Sequence, residues 1–347
     1  MMLLGLKLFS ATIVALAGYG ASSQYLGTKF DQERYLPIGQ MVDIGGYSLH
    51  MIDSASCDLM NIYDENLDEA HNSKFTVVMD AGFACNCLDW SLVQPEIARF
   101  ARVITYDRAG YAWSDASPLE RTSKNIVQEL HTMLQVAQIS GPYILVGHSF
   151  GGCNMQMYAT QYPDEVAGLI LVDSVHEDQV HILRPPATHY FQLLTGAVYL
   201  GAFRLVAKIP LVCDVMRQQI LKFPEHVQEI YYSQSMTNKY ADTLREEAYF
   251  APEDCRQLKE LAPSLADIPL IVISAGQPFM DLERAQHFYT AEQIAHVNEQ
   301  WPILQVNLAK KSVRSTHIIA QESGHLIPVD QPEVIVDAVR QMIEQLR

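Results

Sequence analysis

The chain has 347 residues, 49% of them hydrophobic and 18% charged, and 40 acidic against 24 basic side chains leave a formal net charge of −16. That length holds one large domain, or a core with an inserted piece, and it is ample for a substantial buried core. The acidic balance argues against a nucleic-acid partner, because no basic stripe is available to neutralise phosphates, and no Walker A, G-x-G-x-x-G or H-E-x-x-H pattern starts a phosphate-cradle or zinc-protease reading.

The N-terminus differs in kind from the rest. Lys7 is its only charge up to Ala21, and Leu8 to Ala17 is apolar or small apart from Ser10 and Thr12. This pattern predicts a signal or membrane anchor over residues 1–24, hence a membrane-anchored or exported protein. Ala15-Leu16-Ala17 has the small-x-small form of a cleavage site, while Met1 to Ala21 counted whole reaches the roughly 20 residues of a span. Both readings stay open, and a buried helix is disfavoured because the segment has no polar face. The six cysteines are scattered without framework spacing. Cys85-x-Cys87 is too tight for a zinc pair, so no metal site is expected; Cys213 and Cys255 could pair in an exported chain; Cys153 reads as a small buried hydrophobe.

A polar linker to about Pro37 leads into a hairpin, Met41 to Ile44 and Tyr47 to Ile52, turned by Gly45-Gly46. Ser54 to Lys74 is polar and reads as a surface loop. Apolar strands follow at Phe75 to Met79, Arg102 to Tyr106, Tyr143 to Val146, Gly168 to Val172, Pro269 to Ser274 and Thr316 to Ala320. Helices are expected near Trp90 to Phe100, over Ser123 to Val136, from Cys153 to Tyr162, and at the C-terminus, where Asp330 and Glu333 form a capping-box-like start. Alternating strands and helices predict an α/β fold with a doubly wound, mostly parallel sheet. The aromatic- and Met-rich stretch 176–262 breaks the alternation and reads as a helical cap inserted into a core of 38–175 and 263–347. Such an insertion lies above the carboxyl ends of the strands, where ligands bind in open α/β sheets.

The chemistry centres on Gly147-His148-Ser149-Phe150-Gly151. Behind an apolar strand and ahead of a helix, this G-x-S-x-G reads as a sharp turn that lifts Ser149 Oγ out of the sheet at a helix N-terminus. A serine hydroxyl needs an adjacent base, itself held by a third group. Of twelve histidines, His325 is chosen by position, on the Ser323-Gly324-His325 loop between the last strand and the last helix. His148 is expected to point elsewhere, His50 and His317 to be structural, and His131, His226, His287 and His296 to be solvated. The acid is Asp173, at the end of the strand after the elbow helix, with Asp281 as the alternative if its loop folds back. The oxyanion donors are the Phe150 amide and, from Asp80-Ala81-Gly82-Phe83, the Phe83 amide.

From about Pro37 onward the chain resembles an α/β-hydrolase-fold serine hydrolase of the esterase/lipase-like kind. The segments that carry the likeness are Asp80-Ala81-Gly82-Phe83, Arg102 to Tyr111, Val146 to Gly152, Tyr162 to Val166 and Ser323-Gly324-His325. It departs in having Ala81-Gly82 where His-Gly is common and in lacking a carboxylate soon after the penultimate strand. The resemblance implies small-molecule or lipid-like ester or other acyl substrates, no cofactor, and a wall-forming role for Asp107-Arg108. Carbon–carbon bond hydrolysis and perhydrolysis are alternative serine chemistries, and a non-catalytic binding or signalling protein is the alternative of a different class.

Overall fold

Runs such as Val77-Val78-Met79 and Gly168 to Val172 carry no polar side chain, which suits strands covered on both faces rather than one. The computed structural model describes residues 2–56, 74–183, 188–206, 220–280 and 289–347. Its eight strands are β1 (Gln40–Asp43), β2 (Ser48–Asp53), β3 (Thr76–Asp80), β4 (Arg102–Tyr106), β5 (Tyr143–His148), β6 (Val166–Val172), β7 (Leu270–Ala275) and β8 (Ser315–Ala320). They form one sheet in the order β1-β2-β4-β3-β5-β6-β7-β8. β2 runs antiparallel to both its neighbours and the remaining pairs are parallel. The carboxyl ends of β3 to β8 therefore share one edge of the sheet.

Successive side chains on a strand face opposite ways, and the core divides accordingly. Leu145 and Leu171 join one buried cluster with Ile126, Leu130 and Met133 of α3 (Ser123–Val136) and Met155 of α4 (Phe150–Gln161). Ile144, Val146, Ile170 and Val172 join a second, with Ile97 of α2 (Gln94–Ala98) and Ile335, Val339 and Met342 of α11 (Pro332–Leu346). Between β6 and β7 lie α5 (Thr188–Tyr199), α6 (Ala202–Val206), α7 (Glu225–Gln234) and α8 (Asn238–Leu261); α9 (Ala291–Ala309) and α10 (Ile327–Asp330) flank β8. Asp330 does not cap the last helix: Gln331 occupies that position without a side-chain bond, and Asp330 pairs with Lys222.

The N-terminal expectation is overturned. Met2–Arg34 is a single 33-residue helix, α1, so the linker expected before Pro37 is helical as far as Arg34. Among the described residues no helix is long and apolar enough to cross a membrane. The second half of α1 carries Gln24, Lys29, Asp31, Glu33 and Arg34 and lies along the protein's own helices. Buried Gln24 donates to the Met236 carbonyl, and Arg204 of α6 donates to Gln24 and pairs with Asp31. The expected transmembrane helix is therefore not found, and the membrane-anchored or exported placement drawn from it is corrected. Cys255 is a free thiol. Its suggested partner Cys213, the alternative acid Asp281, His287 and residues 57–73 of the expected surface loop lie outside the described residues.

Candidate active site

The turn between β5 and α4 is built by close approach. A Cβ on Gly151 would strike the Asp80 carbonyl oxygen, and one on Gly152 would strike Ser174 Oγ. With those two positions bare, α4 starts immediately after the strand and the chain reverses at Ser149, whose φ of 51° and ψ of −116° lie outside the regions open to most L-residues. Neighbouring backbone pins the turn: the Ser149 amide donates to the Val172 carbonyl, and the Ser149 carbonyl accepts from the amides of Gly152 and Val175.

Ser149 Oγ lies 3.0 Å from His325 Nε2, and His325 Nδ1 lies 2.6 Å from Asp173 Oδ2. A carboxylate only accepts, so Nδ1–H donates to Asp173 and Nε2 is left to receive the serine proton. Asp173 is fully buried at the end of β6, with φ of 42°. Its amide donates to the Ile273 carbonyl, and its Oδ1 accepts from the Ala275 amide. The sequence-selected Ser149, His325 and Asp173 thus meet although 176 residues separate the first two.

His148 does not point away from this group. Its Nε2–H donates to the His325 carbonyl at 2.8 Å, and the two rings stand 4.9 Å apart. Burial, followed by the charge of His325, pushes the His148 pKa down to about 3, so the ring stays neutral. On its other sides the His325 ring meets Phe279 edge-on at 4.5 Å and Trp301 at 5.9 Å. Phe279 sits on the loop after β7, where the resemblance would put an acid.

Gly82 lies against the serine: a Cβ there would come 3.3 Å from Ser149 Cβ and 3.0 Å from His148 Nδ1. Neither the Phe83 nor the Phe150 amide meets an acceptor among the described residues. The Phe150 amide lies at the N-terminus of α4, where the helix dipole favours negative charge.

Other histidines have structural partners. His50 Nδ1 bonds Asp107 at 2.8 Å, its Nε2 accepts from the Gly39 amide, and His317 bonds Ser274 Oγ. His131 is not simply solvated, since it stacks on Tyr162 at 3.9 Å and pairs with Glu165. His226 and His296 are exposed. Among the described residues, His50, Cys87 and Asp107 are the group whose ligand-type atoms converge, within 4.8 Å. Asp107 Oδ1 already accepts from the Cys87 amide and Oδ2 from His50, so this trio reads as a hydrogen-bonded core cluster rather than a metal cradle.

A cavity of about 430 Å³ opens beside the loop after β3. Phe83, Ala84 and Cys85 form one wall, α5, α7 and α8 form the roof, and Leu326, next to His325, lies at the rim. Among the described residues its lining carries no charged side chain. Tyr240 of the roof donates to the Ala84 carbonyl.

Known proteins agree with this architecture. A family model described as alpha/beta hydrolase fold matches residues 76–207. The uncharacterized protein YqjL of Bacillus subtilis is 25% identical over 264 residues, covering 76% of this chain and 81% of its own. An uncharacterized protein of Schizosaccharomyces pombe is 27% identical over 242 residues, and the match spans only 39% of its length. A thermophilic esterase from Thermogutta terrifontis superposes with a TM-score of 0.58 at 18% identity, covering 88% of this chain and 98% of that one. The epoxide hydrolase CorEH does so with a TM-score of 0.60 at 15% identity, covering 89% and 99%. With strand order, the turn at Ser149 and these likenesses in agreement, the chain has the α/β-hydrolase fold.

Proposed function

We propose that the protein is a serine hydrolase that cleaves neutral carboxylic esters through an acyl-enzyme. The observation that carries this reading is the 3.0 Å approach of Ser149 Oγ to His325 Nε2, within hydrogen-bond reach for proton transfer. Ser149 Oγ attacks the ester carbonyl carbon as its proton passes to His325 Nε2. Asp173 keeps the ring oriented and stabilises the imidazolium. Negative charge collects on the former carbonyl oxygen, facing the Phe83 and Phe150 amides. When the tetrahedral species collapses, the C–O bond to the alcohol breaks and His325 returns the proton to the departing oxygen. Water, deprotonated by the same nitrogen, then releases the acid and restores Ser149. A serine at this position disfavours the aspartyl-ester route of epoxide and haloalkane hydrolysis.

Residues 176–262 serve as the cap over this site, and the cavity beneath them, uncharged in its described lining, takes an apolar chain of the ester. A fluorophosphonate probe should label the wild type and leave Ser149→Ala unlabelled. On p-nitrophenyl esters of graded length, each methylene that enters the cavity should raise kcat/KM about fourfold, from the ~0.8 kcal/mol of a buried CH₂, with a plateau when the cavity is full. A well-folded wild type that resists the probe and cleaves no ester would favour the non-catalytic binding reading.

A further inference from the structure

Arg108 is a buried cation with an unusual set of partners. It follows the carboxyl end of β4, and its side chain is 1% exposed. Nη1 donates to Asp80 Oδ1 at 2.8 Å, while Nε and Nη2 fork onto Glu247 of α8 at 2.9 and 3.2 Å. The remaining bonds go to main chain, Nη1 to the Ala81 carbonyl at 2.6 Å and Nη2 to the Gly82 carbonyl at 2.8 Å.

The Gly82 carbonyl and the Phe83 N–H belong to one peptide unit. In a trans peptide the two point in opposite directions. A guanidinium gripping that carbonyl from behind therefore turns the Phe83 N–H away from itself, and the Gly82 backbone lies against Ser149. Positive charge at the carbonyl end also polarises the amide and makes its N–H a stronger donor. The same guanidinium lies 5.3 Å from the centre of the Phe150 ring. Stability alone does not account for the cluster, because replacing a buried ion group with apolar residues of similar volume is often neutral or stabilising.

We propose that Arg108 is a positioning residue that aims and polarises the Phe83 N–H at the oxyanion, and that Glu247 holds Arg108 for this task. The long helix α8 thereby becomes part of the oxyanion-stabilising apparatus. Two further contacts dock α8 at this spot: Tyr111 donates to Glu247 at 2.8 Å, and Gly110 leaves room for Thr243. This inference rests on the ester-hydrolase reading.

The test compares wild type, Arg108→Lys and Glu247→Gln on a p-nitrophenyl ester and with a trifluoromethyl ketone, which adds to the serine and places an oxyanion in the hole. Losing one oxyanion donor outright lowers kcat by roughly 10²–10³-fold, so a misaimed donor in Arg108→Lys should cost about 10–100-fold. Glu247→Gln, which leaves Arg108 in place but less firmly held, should cost about 3–10-fold. KM should stay within about twofold in both, and ketone affinity should fall by the same factor as kcat/KM. Unchanged kcat in a folded Arg108→Lys overturns the proposal, as does a loss of kcat that leaves ketone affinity untouched. If Arg108→Lys does not fold, Glu247→Gln decides alone, and wild-type values for it sink the idea. A wild type that cleaves no ester and ignores the ketone would overturn the ester-hydrolase reading itself, a result distinct from an active enzyme indifferent to Arg108→Lys.

Discussion

Ser149 holds a backbone conformation that favours glycine, and strain of this kind costs about 1–3 kcal/mol. The fold tolerates it because the Ser149 amide and carbonyl are tied to β6 and α4 on both sides. Ala and Ser suffer the strain alike, so Ser149→Gly should be more stable than Ser149→Ala by about 1 kcal/mol once glycine's extra chain entropy is subtracted. Both variants should resist the fluorophosphonate, and urea midpoints that place Ser149→Ala above Ser149→Gly would show the turn to be relaxed. At this scale the serine was legible because strand, glycines and helix surround it within a few residues. Asp173 and His325 were legible only by position at strand ends. The Arg108–Glu247 bond spans 139 residues and carries no local pattern, so nothing in the sequence announces it. His148 was visible beside the serine, but its partner is a main-chain carbonyl 177 residues away, which no side-chain motif encodes.

Helix α4 and the loop after β3 touch through backbone and through one side-chain bond, from Asn154 to Asp80. The Gly151 position faces the Asp80 and Ala81 carbonyls, and neither can move without displacing the peptide held by Arg108. Gly151→Ala should therefore destabilise the protein by about 2–3 kcal/mol through overpacking, and it should lower kcat more than it raises KM. A variant of wild-type stability and kcat would mean that the loop and helix can separate freely. The elements themselves were legible where a short apolar run met a turn, as in β3 to β6. They were less so where two signals conflict. Helix α9 has a capping box at Thr290 and Gln293 and buries Ile294, Val297, Trp301, Leu304 and Leu308, yet Pro302 interrupts its pattern. Helix α1 looked like an apolar leader followed by a linker, because its second half is polar and is tied to α6, α7 and the start of α8 by polar bonds and ion pairs.

Across the whole molecule, the sheet and the region above it are joined by groups whose protonation opposes. Asp254 of α8 accepts the Ser123 amide at the start of α3, and burial pushes its pKa up to about 7 from the ordinary 3.8. His148, beneath the site, is pushed down to about 3 from 6.5, again chiefly by burial. Between pH 4 and 6.5 the folded chain keeps a proton on Asp254 that the unfolded chain has lost. The unfolded chain meanwhile carries a proton on its histidine that folded His148 refuses. Stability changes with pH as the difference in bound protons, so the two contributions run in opposite directions and nearly cancel over this window. The Asp254 contribution is fully present at low pH and is lost as pH rises toward 7; the His148 contribution is present above 6.5 and is lost as pH falls toward 3. Asp254→Asn retains an acceptor for Ser123 and removes one side of the balance, so its stability relative to wild type should climb with pH by up to about 1.4 kcal/mol per unit. His148→Leu removes the other side, and its stability relative to wild type should climb as pH falls, with a similar slope. Urea titrations at half-unit steps from pH 4 to 7 measure both differences. Parallel curves for Asp254→Asn and wild type would mean that Asp254 is already ionised in the fold, and the compensation would then be absent.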